Sequence, residues 1–193
     1  MTSATPARSP LIGPAAIAAY GPLPAPGPHT AAELAALLRL LTGGRARLHT
    51  VTVGHSRDDA SRAAARAFTE AWLDLPGRSV LAVVDWPEQA ASWLRPARRL
   101  TAPAPDAWVL AAAPLGWAQL ARRLGREPGW RAWHTFGFAS LASLASLAEP
   151  RAVALAGQGA LDGLRGASAD GGTWEIADGR LTTCPPGRAP QTV

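Results

Sequence analysis

The chain has 193 residues, 48% of them hydrophobic, which is typical of one globular domain with a core and not of a disordered protein. The formal net charge is +5, but all 19 basic residues are arginine, and lysine and asparagine are absent. Because that bias is typical of a GC-rich genome, the basicity alone does not indicate nucleic-acid binding, and we expect none. The single cysteine, Cys184, excludes an intramolecular disulfide and a multi-cysteine metal site.

The sequence has no run of the roughly 18 continuous apolar residues that a membrane-spanning helix needs. Residues 11–20 are apolar, but only Arg8 precedes them, and Pro10 and Pro14 interrupt the segment. We therefore predict a cytoplasmic protein without a membrane span, with export as the alternative.

The N-terminal region begins with a proline-rich segment. Residues 1–28 contain seven prolines and predict an extended arm. Thr30 then stands three residues before Glu33, which is the spacing of a capping box, and the apolar face of the following helix ends at Gly43-Gly44. We expect that face to pack against the domain or against a second copy of the chain.

Three units of strand followed by helix come next. Residues 48–53 predict a strand ending at Gly54-His55-Ser56, with Ser56 or Asp58 capping a helix. Residues 80–84 form the second strand, which ends at Asp85, and Pro87 opens the second helix. Residues 106–112 and 115–124 predict the strand and the helix of the third unit, and residues 131–136 predict a fourth strand. The pattern predicts a three-layer α/β sandwich with a mainly parallel, Rossmann-like sheet of four to five strands.

The C-terminal part carries weaker patterns. Residues 140–148 repeat Ser-Leu-Ala and predict a surface helix or a low-complexity insertion. Asp178-Gly179 is typical of the turn of a small hairpin over residues 173–182. We divide the chain into an arm (1–28), an α/β domain (29–168), and a hairpin with a tail (169–193).

Parallel sheets bind ligands beyond the carboxyl ends of their strands. We predict that Ser56, Asp85, Trp86 and Trp117 contact a ligand there, because each stands at or shortly after the end of a predicted strand. Three other tryptophans stand at core-facing positions. Arginines cluster at the carboxyl ends of two predicted helices, which places them at the opposite edge and favours a solvated or partner-facing rim. The core-facing tryptophans are Trp72, Trp93 and Trp108. The clustered arginines are Arg95, Arg98 and Arg99 in one helix and Arg122, Arg123 and Arg126 in the other.

Catalytic alternatives have weaker support. His55, Ser56 and Asp85 could form the base, nucleophile and orienting acid of a hydrolase, but no Gly-x-Ser-x-Gly motif is present, and helix capping explains Ser56 more simply. Asp85 with Glu88 could bind a metal or act as an acid/base pair, although an acid in the first turn of a helix is favoured by the helix dipole in any case. No glycine-rich phosphate loop and no histidine spacing of a metal site occurs, so we expect no cofactor and no metal. We favour a binding function over an enzymatic one and keep the hydrolase as the alternative.

The order of these patterns resembles the second lobe of type I periplasmic binding proteins, the leucine/isoleucine/valine-type receptors of ABC transporters. The resemblance rests on Val-Thr-Val-Gly-His-Ser-Arg-Asp-Asp, Val-Leu-Ala-Val-Val-Asp-Trp-Pro, Pro-Asp-Ala-Trp-Val-Leu-Ala-Ala-Ala-Pro and Gly-Trp-Ala-Gln-Leu-Ala-Arg-Arg-Leu within residues 48–138. Residues 161–166, Leu-Asp-Gly-Leu-Arg-Gly, are similar to a later glycine-bearing segment of the family.

The resemblance implies a lobe that binds without chemistry. Family receptors hold solute between two lobes, so a chain with one lobe would bind a small polar ligand or dock on a protein partner. The Asp85 carboxylate would face an amine of the ligand, and the indoles of Trp86 and Trp117 would face its apolar part. The alternative is a scaffold subunit that forms homo-oligomers through the helix of residues 30–41 and the arginine rim.

Overall fold

The described part of the chain is organised around one β-sheet with helices on both faces. The computed structural model describes residues 25–44, 48–142 and 161–187, together with the single positions 15 and 18. In chain order the elements are α1 (Ala31–Thr42), β1 (Thr50–Ser56), α2 (Asp59–Leu73), β2 (Ser79–Trp86), α3 (Leu94–Thr101), β3 (Ala107–Ala111), α4 (Pro114–Leu124), a 3-10 turn (Ala132–His134), β4 (Thr135–Gly137), α5 (Ala139–Ala142), β5 (Arg165–Ala167), β6 (Thr173–Ala177) and β7 (Arg180–Cys184).

The strands lie in the order β2-β1-β3-β4-β5-β6-β7. The first five of these are parallel, and β6 and β7 continue the sheet as an antiparallel hairpin. The predicted α/β class with a mainly parallel sheet is confirmed. The sheet has seven described strands, more than the four to five predicted, because the C-terminal hairpin pairs with β5.

The core has two halves, one on each face of the sheet. Because successive residues of a strand point to opposite faces, Val51 and Val53 of β1 pack with Phe68 and Trp72 of α2 on one face. Trp86 of β2 belongs to the other half, together with apolar residues of α3 and α4. Trp72, Trp93 and Trp108 are each at most 3% exposed, which confirms that they are core residues.

Helix α1 begins with the predicted capping box. The Glu33 backbone N–H donates to Thr30 Oγ1 (3.0 Å), and the Thr30 N–H donates to Glu33 Oε2 (3.2 Å). Leu37 and Leu41 are buried in the same core half as Phe68. The apolar face of α1 therefore packs within the domain, which leaves little of it for the oligomer interface considered from the sequence.

The first two strands are longer than predicted. His55 is the partner of Asp85 in the parallel ladder, and Ser56 is the partner of Trp86, so these four residues are strand residues and not loop residues. Backbone pairing with the neighbouring strand extends both strands beyond the apolar run in the sequence. Asp58, and not Ser56, is the N-cap of α2, since Asp58 Oδ1 accepts from the Ser61 N–H (2.8 Å).

The predicted start of the second helix at Pro87 is wrong. Helix α3 begins at Leu94, and residues 87–93 have no regular secondary structure and contact the N-terminal half of α4. Contacts with α4 hold that segment: Gly116 N–H donates to Glu88 Oε2 (2.9 Å), and Gln119 Nε2 donates to Glu88 O (3.4 Å). The periodic residues of the segment, from Trp93 onwards, are those that do form the helix and its N-cap.

The later elements differ in detail from the prediction. Residues 131–136 form a 3-10 turn followed by β4 instead of one strand. The Asp178-Gly179 turn is confirmed, and both residues have a positive φ (50° and 68°), as a tight hairpin turn requires. Helix α5 includes the first residues of the Ser-Leu-Ala repeat, whereas its remainder and most of the proline-rich arm lie outside the described residues.

Candidate functional site

The sheet changes winding direction at β1. From β1 the chain passes to β2 on one side and later to β3 on the other. In open parallel sheets, the helices that follow the two strands at such a switch diverge and leave a crevice beyond the carboxyl ends of the strands. Here the crevice lies between the N-terminal turns of α2 and α4.

A cavity of about 250 Å³ occupies this position, and we call it the edge crevice. Ala111, at the end of β3, contributes to its floor, and α2 contributes Ala60, Ser61 and Ala64. Pro114 of α4 lies opposite α2. The segment before α1 and the start of α5 complete the lining, which includes Ala25, Pro26, Gly27, Pro28, His29, Phe138, Ala139, Ser140 and Ala169.

Glu33 is the buried carboxyl group of the edge crevice. It is 2% exposed, and burial raises the pKa of Glu33 although backbone N–H groups of Ala139 and Thr30 bind the carboxylate. His29 lines the same cavity and packs edge-on against the Phe138 ring, with centroids 5.9 Å apart. The crevice thus combines small apolar walls with a carboxyl group and an imidazole.

Neither Glu33 nor His29 was predicted as a site residue. Both belong to the region around α1, which precedes β1 in the chain, so a search restricted to strand ends passes over them. The capping-box spacing identified Glu33 only as a helix-start residue. A second hydrogen bond, visible only in the structure, sets Glu33 apart from an ordinary capping residue: its Oε1 accepts from the N–H of Ala139, 106 positions later in the chain.

Ser56 lies beneath the edge crevice and is fully buried. Its hydroxyl donates to Asp58 Oδ2 (2.5 Å) and accepts from the Ala113 N–H (2.8 Å), and its oxygen lies 3.1 Å from Ser61 Oγ. Burial alone would raise the pKa of Asp58, but hydrogen bonds from Ser56 and Ser61 outweigh it and lower that pKa. Ser56 therefore joins β1 to the starts of α2 and α4.

The hydrolase arrangement is not assembled. His55 Nδ1 lies 2.8 Å from the backbone oxygen of Ser56, not from its hydroxyl. As neighbours in β1, His55 and Ser56 point to opposite faces of the sheet. The Ser56 proton is directed to Asp58, and Asp85 is engaged by arginine. These contacts do not support a nucleophilic role for Ser56.

Asp85 forms an exposed ion-pair cluster at the rim of the sheet. Its Oδ2 lies 2.7 Å from Arg57 Nε, and its Oδ1 lies 3.8 Å from Arg99 Nη1. The hydrogen bond from Arg57 lowers the pKa of Asp85. The prediction that all arginines of the second helix point away from this edge is wrong for Arg99, because the short helix lets its long side chain reach Asp85.

Trp86 and Trp117 are both 0% exposed. Trp86 packs against Gly54, where an added Cβ would approach the indole to 2.8 Å. Trp117 belongs to the same core half. In this structure both indoles lie below the carboxyl edge, and neither lines the edge crevice.

Glu88 does not lie in the first turn of the second helix, where the sequence had placed it. Because α3 begins at Leu94, Glu88 is not in the first turn of that helix; its carboxylate binds the N-terminal turn of α4 at Gly116. Burial raises the pKa of Glu88. Within residues 25–44, 48–142 and 161–187, no group of three or more His, Cys, Asp or Glu side chains is placed to hold a metal ion.

Comparisons with known proteins identify the fold. No family model matches the sequence. No curated protein matches it either. Among solved structures, the chain is similar to a branched-chain amino acid ABC transporter protein from Rhodospirillum rubrum, with 22% identity over 69% of this chain and 35% of that one and a TM-score of 0.54.

Two further structures give the same result. A substrate-binding periplasmic protein from Ralstonia solanacearum is 19% identical over 73% of this chain and 37% of its own, with a TM-score of 0.56. A Rhodopseudomonas palustris protein is 15% identical over 69% and 34%, with a TM-score of 0.55. The chain spans about a third of the length of each of these structures. In the part of the chain that the structure describes, no helix is long and apolar enough to cross a membrane.

The three structural matches confirm the expected resemblance at the level of fold: the chain has the α/β fold of one lobe of a periplasmic binding protein.

Proposed function

We propose that this chain binds a small polar solute in the edge crevice, as one lobe of a solute receptor and without chemistry. The observation that carries the proposal is the cavity of about 250 Å³ at the switch point of a sheet with a periplasmic-binding-protein fold. Ligands of open α/β sheets bind at this position. The cavity is below the usual range of pockets for drug-sized ligands, roughly 300–1,000 Å³, which favours a small solute.

The lining supports a solute with one polar and one aliphatic part. Ala60, Ala64 and Ala111 offer small apolar surfaces to an aliphatic group. Glu33 offers carboxylate oxygens that can accept from an amine, since two backbone donors do not exhaust their capacity. The Rhodospirillum rubrum structure is described as a branched-chain amino acid transporter protein, and aliphatic amino acids are the first solutes to test.

The four residues predicted from the sequence take different roles in this proposal. Ser56 positions the first turn of α2, and Asp85 holds Arg57 at the rim, where a second lobe or subunit would approach. Trp86 and Trp117 belong to the core half on one face of the sheet, whereas the crevice residues Ala64, Ala111 and Phe138 belong to the half on the other face. Contact of any of the four with a ligand remains a prediction.

The fold also bears on where the protein acts. A structure of the same fold is described as a substrate-binding periplasmic protein, so we favour the exported location over the cytoplasmic one predicted from the interrupted apolar segment of residues 11–20. A fusion of the full-length gene product to alkaline phosphatase tests this, because the phosphatase is active only after export. An inactive but intact fusion would return the assignment to the cytoplasm.

The crevice is tested by solute titration of the chain. Calorimetry and thermal unfolding with leucine, isoleucine, valine and several polar amino acids at millimolar concentration should identify at least one saturable ligand. Ala60→Phe, which fills the crevice from α2, should abolish that binding. Ala63→Phe adds the same ring on an exposed position of α2 outside the lining and should preserve it. No ligand from the panel, or equal binding by both variants, would overturn the proposal.

A further inference from the structure

A second and larger cavity lies at the C-terminal end of α1, whereas the edge crevice lies at its N-terminal end. Its volume is about 410 Å³, and it lies between the C-terminal half of α1 and the loops at the ends of β6 and β7. It shares no lining residue with the edge crevice. We call it the arginine groove, and its lining is Ala36, Arg39, Leu40, Gly43, Gly44, Arg165, Gly171, Gly172, Thr173, Pro185, Pro186 and Gly187.

The charges along this lining are all positive. Arg39 and Arg165 are its ionisable residues, and no aspartate or glutamate is among them. Arg39 is exposed, and within the described residues its guanidinium forms no ion pair or side-chain hydrogen bond. An unpaired guanidinium in a concave surface favours an anion that accepts two parallel hydrogen bonds.

Arg165 is held in place by neutral groups. Its Nη2 donates to the backbone oxygen of Trp133 (3.0 Å), and its guanidinium lies over the Phe136 ring, 5.1 Å from the centroid. Its Nε is buried without a described hydrogen-bond partner. These contacts restrict the side chain without neutralising its charge, which lowers the entropy cost of binding an anion.

Two carboxylates lie near the groove, and within the described residues neither forms an ion pair with Arg39 or Arg165. Glu175 is the cross-strand partner of Arg165, but no ion pair joins these two described side chains. Asp170 is engaged at Oδ1 by the N–H of Gly172 (2.9 Å). Thr173 adds a side-chain hydroxyl to the lining, whereas the N–H groups of Gly43, Gly171 and Gly172 already donate to Arg39 O, Ser168 O and Asp170 Oδ1. Attraction of an oxyanion therefore rests on the two guanidinium groups.

A helix-dipole role explains only part of this arrangement. A cation in the last turn of α1 complements the carbonyl groups at the helix end, which accounts for Arg39 by itself. It does not account for Arg165, which comes from β5 and lines the same cavity. We propose that the arginine groove binds an oxyanion, the phosphate or carboxylate group of a small organic ligand, at a site separate from the solute crevice.

Pyrophosphate and citrate are the two probes that test the site, one for each oxyanion. Calorimetric titration of the intact chain at low ionic strength should show saturable binding of at least one of them. Arg39→Glu should weaken that binding by about tenfold or more, because it removes a charge-assisted donor and adds a repelling charge. Arg39→Gln, which only removes the charge, should give a smaller loss in the same direction.

The matched control is Arg98→Glu. Arg98 is exposed in the last turn of α3, so its replacement changes the net charge and the helix-dipole interaction equally but leaves the groove intact. Wild-type affinity in Arg98→Glu with weakened binding in Arg39→Glu supports the site. Absence of binding to both probes, or equal weakening in the two variants, overturns it. Loss of amino-acid binding in Ala60→Phe has no bearing on this result, since the two cavities are separate.

Discussion

The hydroxyl of Ser56 donates a hydrogen bond to Asp58 Oδ2 across 2.5 Å, and Asp58 in turn caps α2 through the Ser61 N–H. This pair connects the end of β1 to the helix turn that lines the edge crevice. Ser56 also accepts from the Ala113 N–H and so fixes the start of α4 on the opposite side. The residue that sequence position suggested as a ligand contact is thus a buried structural link between the two walls of the crevice.

The Ser56→Ala variant tests this structural role. It leaves the buried Ala113 N–H without its acceptor and removes one donor from Asp58, so the free energy of unfolding should fall by about 1–3 kcal/mol. Urea unfolding measures the change, and Ser79→Ala, at an exposed residue of β2, should change it by less than about 0.5 kcal/mol. If both variants matched the wild type, Ser56 would not be the link described.

Gly54 gives a second prediction, directed at the core position of Trp86. A Cβ at residue 54 would lie 2.7 Å from Leu110 Cδ2 and 2.8 Å from the indole, so both buried side chains would have to move. Gly54→Ala should therefore destabilise the fold by about 1–3 kcal/mol.

Gly129→Ala is the control for that substitution, because the nearest atom to its added Cβ is 3.9 Å away. Thermal unfolding of the two variants, with tryptophan fluorescence as the probe, should separate them clearly. Equal melting temperatures would mean that Trp86 can leave its place against β1 and would reopen a surface role for it.

Acid stability should depend on Asp106. Burial alone would raise the pKa of Asp106, but the N–H groups of Thr50 and His49, each 2.8 Å from Oδ2, outweigh it and lower that pKa. A depressed carboxyl pKa stabilises the fold above the unfolded-state pKa, about 3.9, and this contribution is lost as the pH falls through the folded-state value.

Asp106→Asn should accordingly cost about 1 kcal/mol at neutral pH, and this cost should shrink as the pH falls through the folded-state pKa of Asp106. Chemical unfolding of both proteins from neutral to acidic pH measures the difference between their free energies of unfolding. The contributions of the other titrating groups are the same in both proteins and cancel in that difference. Asp59→Asn removes a carboxylate whose side chain is 99% exposed and controls for the loss of charge. A destabilisation by Asp106→Asn that stayed constant with pH would contradict the assigned hydrogen bonds.

Local signals in the sequence predicted the elements whose stability is local. The capping box of Thr30 and Glu33 and the Asp178-Gly179 turn each satisfy their backbone groups within a few residues, and both occur as expected. The ends of β1 and β2 did not follow from local pattern, because pairing between the two strands carries them to Ser56 and Trp86.

The candidate site was predicted only to the correct edge of the sheet. Which face Trp86 points to depends on strand register, and the register directs the indole into the core beneath α3 and α4. His29 and Glu33 reach the crevice through tertiary packing of α1 near α5 and β5, which no spacing along the chain indicates. The contact between Arg99 and Asp85 depends likewise on where α3 begins.

Amide chemical-shift mapping tests the central claim, solute binding in the edge crevice, most directly. On titration of an aliphatic amino acid into the ¹⁵N-labelled chain, the largest shifts should fall on Ser61, Ala111 and Ala139, which line the crevice on three different elements. Amides of the arginine groove, such as those of Gly43 and Thr173, should change little. Saturable shifts confined to the crevice are the predicted result. Shifts centred elsewhere, or none at millimolar solute, would contradict the account.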